Sequence, residues 1–342
     1  MEKILVTGAA GFIGARTCSL LLKRGYSVVG IDNMSSYYDV ELKKHRVREI
    51  EIAAAASRLS SAGTKSKRAL IGKFAFEVLN IEDINQLGKL FKKHNFKAVI
   101  HLAARAGVRA SIEAPASYVA TNTQGSANIL ECMRLSQVLK LVLASTSSLY
   151  RGKKVPFKET DPVEAIASPY AASKRAAEIL AESYSHHYGI DVTILRYFSV
   201  YGPAGRPDMA PLRIINWIDR GHPLKINGSG LQRRDFTYID DVAHATVLAL
   251  KQVRFKVFNI GAGNRPTSIL DFIKKAEAAL GKRATIEFQP QNLADADLTW
   301  ADNALATEVL GWRPAVSLDD GIQRTVDWFT TNIEVARRCL AK

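Results

Sequence analysis

The sequence is poor in cysteine and lacks the patterns that mark disulfide frameworks and metal centres. Its 342 residues include three cysteines, which lie far apart and without CxxC spacing, so we expect free thiols in a reducing cytoplasm. The chain contains no HExxH motif, cysteine cluster or spaced set of histidines, and we expect no metal site. These absences argue against small disulfide-stapled proteins and the common zinc enzymes.

Long apolar runs are absent as well. No stretch approaches the ~18 apolar residues of a membrane-spanning helix. The first residues, MEKILVTGAAGFIG, run into glycines before they could form the apolar segment of a signal peptide. The composition, with 47% hydrophobic and 23% charged residues, is that of an ordinary globular protein. We therefore expect a cytoplasmic protein without a membrane span.

Acidic residues are in deficit, with 33 against 47 basic ones, which gives a net charge of +14. Such a charge can mark a nucleic-acid-binding protein. Much of the excess, however, clusters between Lys43 and Lys73, and no aromatic residues are interleaved with it. We expect no nucleic-acid partner. The charge indicates either a solvated basic face or a positive site for a polyanionic small ligand.

Apolar runs rich in Val, Ile and Leu alternate with helical patterns along the chain. The runs show no polar alternation, which favours a parallel sheet covered by helices on both faces. They are KILVTG, SVVGID, FAFEVLN, KAVIHLA, LKLVLAS and DVTILRYFSV. The pattern predicts an α/β fold with a doubly wound, Rossmann-like parallel sheet.

The regular alternation of apolar runs and helical patterns ends after Tyr201. We predict a cofactor-binding domain over residues 1–200 and a smaller C-terminal α/β substrate-binding part over residues 201–342, with strands near KVFNIG and ATIEF. Segments of this second part could return to the main sheet. Residues 49–72, which are rich in alanine and then in Ser, Gly and Lys, are interpreted as a surface insertion. A docking role toward a partner or an anionic surface is the alternative.

A glycine-rich loop follows the first predicted strand and opens the next helix. In VTGAAGFIG, Gly8 permits a tight turn, Gly11 lets a pyrophosphate approach the helix N-terminus, and Gly14 allows close helix–strand packing. Asp32 ends the second predicted strand, where a carboxylate can bind both ribose hydroxyls of adenosine and repel a 2′-phosphate. The pattern therefore predicts NAD rather than NADP as the cofactor. A simple turn acid is the alternative for Asp32.

The GxxGxxG spacing is typical of the extended short-chain dehydrogenase/reductase family, which the sequence resembles from about Lys3 to Trp328, outside the 49–72 insertion. In HLAA the chain resembles the loop that passes under the cofactor, and Asn122 resembles the helix asparagine that braces the active-site backbone. Asn80 stands where the family usually has an acidic residue. The resemblance implies cofactor contacts at Gly8, Gly11, Phe12, Ile13, Gly14, Asp32, Asn33, Asn80, Ile81, Leu102, Ala103, Ala104, Asn122, Tyr170, Lys174 and Tyr197.

A tyrosine and a lysine lie at i and i+4 in SPYAASKRAAE, so Tyr170 and Lys174 share one face of a helix. An ammonium beside a phenol lowers the tyrosine pKa from its ordinary value of ~10. We therefore expect Tyr170 to be the general base, with Lys174 also holding the nicotinamide ribose. Thr146 is predicted to orient the substrate alcohol and pass the proton.

The segment STSSLYR, which ends a predicted strand, has hydroxyls where related enzymes often have a carboxylate. In resembling enzymes that eliminate water or carbon dioxide from a sugar nucleotide, the motif at this position is often similar to Thr-Asp-Glu or Thr-Ser-Glu. This chain instead has Thr146, Ser147 and Ser148. Elimination needs a positioned acid–base group, and the absence of a carboxylate at this position therefore favours 4-epimerisation. In that reaction a sugar C4–OH is oxidised, the sugar rotates and hydride returns to the other face. All three hydroxyls are predicted substrate contacts. Arg151 replaces the usual glycine.

The segment RYFSVYGPAGRPDM resembles the equivalent segment of bacterial and plant UDP-glucuronate 4-epimerases. The resemblance implies that Arg206 reaches the uronate carboxylate and that Ser199 donates a second hydrogen bond. A guanidinium can pair with a carboxylate through two parallel bonds, which fixes orientation as well as charge. A loop arginine facing water is the alternative for Arg206.

Other segments strengthen this match and imply contacts with the nucleotide. DNMSSYYDVELKKHR and HLAARAGVRAS resemble the same subfamily, with Arg105 as a departure and Arg109 as a candidate substrate contact. The resemblance of GLQRRDFTYIDDVAHA implies that Arg234 binds the UDP diphosphate. Asp295 would then bind the uridine ribose, a role for which Asp297 competes.

Several alternatives stay open at this point. The chain could be a UDP-glucose or UDP-N-acetylhexosamine 4-epimerase, a UDP-glucuronate decarboxylase, a dehydratase, or an NAD-binding module without enzymatic activity. The family resemblance also implies a homodimer that pairs helices near Tyr118–Ser136 and Pro169–Tyr188.

Overall fold

The computed structural model describes residues 1–60, 72–164, 166–291 and 295–339. The strands are Lys3–Thr7 (β1), Ser27–Asp32 (β2), Phe74–Val78 (β3), Ala98–His101 (β4), Lys140–Thr146 (β5), Asp191–Tyr197 (β6), Ser199–Tyr201 (β7), Leu224–Asn227 (β8), Arg233–Arg234 (β9), Phe236–Tyr238 (β10), Phe255–Ile260 (β11), Thr267–Ser268 (β12) and Ile286–Gln289 (β13).

The helices enclose and extend these strands. They are Phe12–Lys23 (α1), Val40–Ser60 (α2), Ile84–Lys93 (α3), Val108–Glu113 (α4), Pro115–Tyr118 (α5), Gly125–Leu135 (α6), Pro169–Tyr188 (α7), Ala210–Arg220 (α8), Ile239–Leu248 (α9), Ile269–Leu280 (α10), Ala304–Leu310 (α11), Leu318–Thr331 (α12) and Ile333–Cys339 (α13). A π-helical segment, Val119–Gln124, joins α5 to α6, and a 3₁₀ turn, Ser147–Tyr150, follows β5. Within the described ranges, no helix is both long and apolar enough to cross a membrane.

Seven strands form the central sheet in the order β11-β6-β5-β4-β1-β2-β3, and all neighbours are parallel. The six N-terminal apolar runs supply β1 to β6, so the predicted doubly wound parallel sheet is confirmed. KVFNIG supplies β11, which returns to the edge of this sheet beside β6. The strand order reverses between β1 and β4, and the crevice at such a point is where open α/β sheets bind ligands.

Burial on both faces explains why the strands lack polar alternation. Neighbouring residues of one strand enter different clusters, as Leu5 packs with α3, α6 and α7, whereas Val6 packs with α1, α9 and α11. Successive side chains of a strand point to opposite faces, so each face of the sheet carries its own helical layer. All seven residues of β5 are buried.

A third hydrophobic cluster holds the C-terminal elements together around Phe272 of α10, Ile215 of α8 and Phe329 of α12. Phe12, at the start of α1, belongs to this cluster. The glycine-rich loop therefore lies where the C-terminal elements meet the main sheet. The division at residue 200 stays a prediction.

The predicted insertion covers the second half of α2 and continues into residues 61–71, which lie outside the described residues. Ile50 and Ala54 of α2 are buried in the cluster that contains α1. This half of α2 therefore contributes to the core as well as to the surface.

Candidate active site

An open cleft of about 1750 Å³ runs along the carboxyl ends of the parallel strands. The strand ends deliver Gly8 after β1, Asp32 at the end of β2, Thr146 at the end of β5 and Tyr197 at the end of β6. Of the predicted site residues, all of which the structure describes, only Asn122 does not line this cleft. The topology thus brings the candidate cofactor and substrate residues into one continuous space.

The glycine-rich loop has no room for a side chain at any of its three glycines. Gly8 has φ +69, and a Cβ there would lie 2.8 Å from the backbone nitrogen of Ala103. A Cβ at Gly14 would lie 2.0 Å from the carbonyl oxygen of Gly8. Helix α1 begins immediately after Gly11 without a side-chain capping bond. Its first N–H groups therefore face the cleft as an anion site, which fits a dinucleotide diphosphate.

Asp32 is buried at the end of β2, where it is paired with a buried lysine. Its Oδ1 accepts bonds from the backbone N–H of Met34 at 2.8 Å and from Lys43 Nζ at 3.1 Å. Lys43 comes from the second turn of α2 and also lines the cleft. The carboxylate proposed to hold the adenosine ribose is thereby fixed by α2 as well as by its own strand.

The three predicted catalytic residues lie together at the ends of β5 and α7. Ser168 caps α7 by accepting a bond from the N–H of Ala171 at 3.1 Å, which places Tyr170 in the first turn and Lys174 one turn later. Thr146 donates to Ser148 Oγ at 3.1 Å and lies close enough to Tyr170 to lower the pKa of its phenol. The hydroxyl, phenol and ammonium therefore form one group within the cleft.

The pKa of Tyr170 is shifted in the direction opposite to the one expected from the sequence. Burial lowers the pKa of Lys174 to about 8, although the charge of Glu178 one turn later raises it. Burial also raises the pKa of Tyr170, against the lowering effects of the nearby Thr146 hydroxyl and of the Arg206 charge. The expectation that Lys174 holds the Tyr170 pKa below its ordinary value is wrong for this structure, because desolvation of the phenol outweighs the nearby charges.

A buried ion pair supports the catalytic residues from behind. Glu178 accepts bonds from Arg196 Nε at 2.9 Å and Nη2 at 2.8 Å, and from Ser145 Oγ at 2.6 Å. Arg196 also donates to the Tyr150 hydroxyl at 2.7 Å. Since Ser145 precedes Thr146 and Glu178 lies one turn after Lys174, the pair fixes β5, β6 and α7 relative to one another.

Asn122 acts as a brace beneath the cleft. It lies in the π-helical segment and is fully buried. Its Oδ1 accepts a bond from the N–H of Arg105 at 2.8 Å, and its Nδ2 donates to the Arg105 carbonyl at 2.9 Å and to Ser173 Oγ at 2.9 Å. Asn122 thus ties the loop after β4 to α7, which matches a bracing role rather than direct contact with a cofactor.

Arg206 is paired with a carboxylate of its own loop. Its guanidinium donates to Asp208 at 3.0 and 2.6 Å and to the carbonyl of Ala106 at 3.0 Å, and it lies 5.5 Å from the ring centroid of Tyr37. Ser199 lines the same cleft. The candidate ligand of a substrate carboxylate therefore already has a carboxylate partner within its own loop.

Two predicted substrate contacts that are distant in sequence meet at the far side of the cleft. Arg109 forms a two-pronged ion pair with Asp295, 186 residues away. Asp297 instead accepts a bond from Gln291 at 3.2 Å through its carboxylate, and its carbonyl accepts one from the N–H of Arg233 at 2.8 Å. Both aspartates line the cleft, as does the predicted diphosphate ligand Arg234.

A family model corresponds to this combination of fold and site. The model of the NAD dependent epimerase/dehydratase family matches residues 4–261, which include the glycine-rich loop and all three candidate catalytic residues. The chain belongs to the NAD dependent epimerase/dehydratase family. Its cofactor is accordingly NAD, as the Asp32 carboxylate predicts.

Relatives of known structure or assigned activity extend along almost the whole chain. A UDP-glucuronate 4-epimerase of Thermodesulfobacterium geofontis (strain OPF15) is 46% identical over 337 residues, which cover 98% of this chain and 99% of the relative. The crystal structure of UDP-glucuronic acid 4-epimerase from Bacillus cereus with UDP-glucuronic acid and NAD is 38% identical, with a TM-score of 0.82 and coverage of 96% and 99%. UDP-glucose 4-epimerase of Thermotoga maritima with UDP-glucose is 32% identical, with a TM-score of 0.83 and coverage of 97% and 100%.

The cleft of this family member also contains side chains that the sequence analysis did not assign. Tyr37 and Lys43 lie in the DNMSSYYDVELKKHR segment, which resembled the subfamily as a whole without separate roles for its residues. Arg213 stacks over Trp217 at 4.7 Å, and both line the cleft. Their i and i+4 spacing on α8 was the available signal. In the described parts of the chain, no group of His, Cys, Asp or Glu is arranged to hold a metal ion.

Proposed function

We propose that the protein interconverts UDP-glucuronate and UDP-galacturonate by 4-epimerisation with tightly bound NAD. The observation that carries this proposal is the position of Arg206, which lines the cleft close enough to Tyr170 for its charge to lower the pKa of that phenol. A cation beside the candidate base is suited to a sugar whose C6 is a carboxylate. Related enzymes that catalyse elimination often have a glutamate at the position of Ser148. The hydroxyl at this position therefore supports epimerisation over loss of carbon dioxide.

The residues present fit NAD. The uncapped N-terminus of α1 would hold the diphosphate, Asp32 the adenosine ribose and Lys174 the nicotinamide ribose. NAD, when bound, supplies a reversible hydride acceptor for C4 of the sugar and a positive charge near the base. That charge would favour ionised Tyr170, whose pKa is raised by burial in the protein alone.

The chain's own residues would handle the proton and the carboxylate. Tyr170 would take the C4 hydroxyl proton and later return it to the ketone oxygen, and Thr146, which lowers the pKa of that phenol, would orient the oxygen. A 4-keto uronate is a β-keto acid that tends to lose carbon dioxide. Arg206 and Ser199 would hold its carboxylate in an orientation that disfavours this cleavage.

The nucleotide would occupy the far side of the cleft. Arg234 is suited to the diphosphate, and the Arg109–Asp295 pair is suited to closing over the uridine ribose. Arg109 lies in α4 and Asp295 in the C-terminal part, so binding there would join the two halves of the cleft.

We further propose that the protein works as a cytoplasmic homodimer. Val119, Leu135 and Ile179 are each more than half exposed on the π-helical segment, α6 and α7, which lie within the predicted helix pair. Exposed apolar side chains grouped in this way favour burial against a second copy. The three cysteines are buried free thiols, which suits a reducing compartment. Light scattering would test the dimer, and Ile179→Glu should weaken it.

The experiment that tests the activity is incubation of the purified protein with UDP-glucuronate, without added metal, followed by proton NMR. The H4 coupling separates the gluco from the galacto epimer, and a UDP-pentose would reveal loss of C6. We expect UDP-galacturonate. Turnover restricted to UDP-glucose or UDP-N-acetylglucosamine would contradict the role of Arg206, and UDP-pentose as the main product would contradict the interpretation of Ser148.

A further inference from the structure

One buried arginine of α2 has a role that neither the sequence analysis nor the proposed catalytic cycle explains. Arg46 is 4% exposed and makes five hydrogen bonds. Its guanidinium donates to the carbonyl of Ala204 at 3.0 and 2.7 Å, of Gly205 at 3.1 Å and of Ala10 at 3.1 Å, and to the Tyr38 hydroxyl at 2.6 Å. All five donors of the planar fork are accordingly committed to one geometry.

These bonds connect the two ligand-binding loops of the cleft. Ala10 belongs to the glycine-rich loop at the start of α1, and Gly205 directly precedes Arg206. Arg46 is thus a cross-link between the loop that fits the cofactor diphosphate and the loop that carries the candidate carboxylate ligand. Helix α2 itself packs on α1 and α13, so the cross-link is anchored on a rigid element.

The backbone conformation of the substrate loop indicates that this cross-link is needed. Ala204 has φ +54, a left-handed conformation that residues with a Cβ rarely adopt. Two of the five hydrogen bonds from Arg46 converge on the carbonyl of this residue. Arg46 therefore offsets the conformational strain and fixes the direction in which the chain enters Arg206.

We propose that Arg46 is a positioning residue that sets the place of Arg206 relative to the cofactor loop, and thereby the selectivity for an acidic sugar. The inference rests on the proposed function, because it assumes that Arg206 binds the uronate carboxylate. Arg46 itself donates only to main-chain carbonyls and Tyr38 and needs no contact with the substrate. Its effect should therefore appear only through Arg206.

A double-mutant cycle tests this directly. Calorimetric titration of the NAD-loaded protein with UDP-glucuronate, UDP-glucose and UDP would compare the wild type with Arg46→Met, Arg206→Met and the double variant. We expect Arg46→Met to weaken UDP-glucuronate binding about tenfold, within the range of couplings inside one hydrogen-bond network. Binding of UDP and UDP-glucose should change less than about twofold. In the Arg206→Met background, Arg46→Met should cause no further loss.

Three further variants separate positioning from folding. Arg48→Met removes an exposed arginine of the same helix and should behave as wild type. Arg46→Lys keeps the charge without the fork and should recover part of the affinity. Tyr38→Phe removes a single acceptor of Arg46, and it should shift UDP-glucuronate affinity in the same direction and to a smaller extent even if Arg46→Met does not fold.

The outcomes distinguish this inference from the proposed function. Equal weakening of UDP and UDP-glucuronate by Arg46→Met, or additive losses in the double variant, would show that Arg46 is only structural. A wild-type protein that binds UDP-glucose as tightly as UDP-glucuronate, and does not epimerise the latter, would contradict the proposed function instead.

Discussion

The two halves of the cleft hold their charged side chains in different ways. On the catalytic side, Glu178 and Arg196 are 1% and 3% exposed and are bonded to each other through two contacts. On the nucleotide side, Arg109 and Asp295 are 48% and 28% exposed. One half thus has ion pairs sealed in the interior, and the other has ion pairs open to solvent.

This difference indicates which half is prearranged and which exchanges partners. Removing one member of a buried pair leaves an uncompensated charge and typically costs about 3–5 kcal/mol, whereas an exposed pair contributes about 0–1 kcal/mol. The buried pair can therefore fix the base and its lysine before any ligand arrives. The exposed pairs can open at low cost, so a nucleotide sugar can replace the protein's own carboxylates as partner.

The largest effect is expected from removing the base within the prearranged half. Tyr170→Phe deletes the phenol proton acceptor and leaves the packing in place, so turnover of UDP-glucuronate should fall by about 10²–10⁴-fold. Affinity for UDP-glucuronate should stay near that of the wild type, because the substrate carboxylate is assigned to the other half. NMR rates together with calorimetric titration would measure both. A large loss of affinity would show that the two halves are not separable in this way.

Replacing a carboxylate by an amide in the buried pair and in the exposed pair should lower the free energy of unfolding by different amounts. Glu178→Gln should lower the free energy of unfolding by about 3–5 kcal/mol, because the Arg196 charge stays buried without its partner. Asp295→Asn should lower it by less than about 1 kcal/mol. Equilibrium urea denaturation of both variants measures the contrast. Equal losses of stability in the two variants would contradict the distinction between a buried catalytic half and a solvent-exposed nucleotide half of the cleft.

The pH dependence of stability should also reveal the buried charge at Lys174. Its pKa in the folded protein is about 8, below the ordinary 10.5, because burial disfavours the ammonium. Between these values the unfolded chain retains a proton that the folded chain has released, so this group makes stability rise with pH in that window. Below about pH 8 both states are protonated and its contribution is constant.

The comparison with Lys174→Met isolates that contribution. Urea denaturation of the NAD-free proteins from pH 7 to 10 should show the wild type gaining stability relative to the variant as pH rises above 8. A difference between the two proteins that does not change over this range would contradict the burial of a titrating ammonium at this position.

Local patterns in the sequence predicted most of the catalytic half. Uninterrupted apolar runs identify parallel strands, and the chemistry of such a sheet lies at its strand ends, which is why the positions of Gly8, Asp32 and Thr146 follow from local sequence alone. The sign of the Tyr170 pKa shift could not be predicted in this way. It depends on how deeply the phenol is buried, which is a property of the packed protein.

The substrate half could be predicted only as separate motifs. Arg109 and Asp295 were both candidates, yet their pairing joins positions 186 residues apart and depends on how the C-terminal elements fold over the sheet. Arg46 gave no signal of its own, because one basic residue among several on α2 is indistinguishable from a solvated one until its acceptors are known. Long-range hydrogen bonds of this kind follow from tertiary packing rather than from periodicity.

The smallest expected effect tests whether the open half exchanges partners as the comparison implies. Asp208 holds Arg206 through two bonds, with side chains that are 32% and 18% exposed, and a substrate carboxylate would compete for the same guanidinium. Asp208→Asn removes the competing charge from this half-buried pair, so UDP-glucuronate should bind about two- to fivefold more tightly. UDP-glucose affinity should not change.

A matched substitution at an exposed pair outside the cleft, Asp240→Asn beside Arg16, should leave both affinities as in the wild type. Weaker binding of UDP-glucuronate by Asp208→Asn would contradict competition between Asp208 and the substrate carboxylate. Asp208 would then orient the guanidinium for its ligand rather than compete with it, and the substrate half would be as prearranged as the catalytic half. The direction of a change of a few-fold therefore decides how this cleft recognises an acidic sugar.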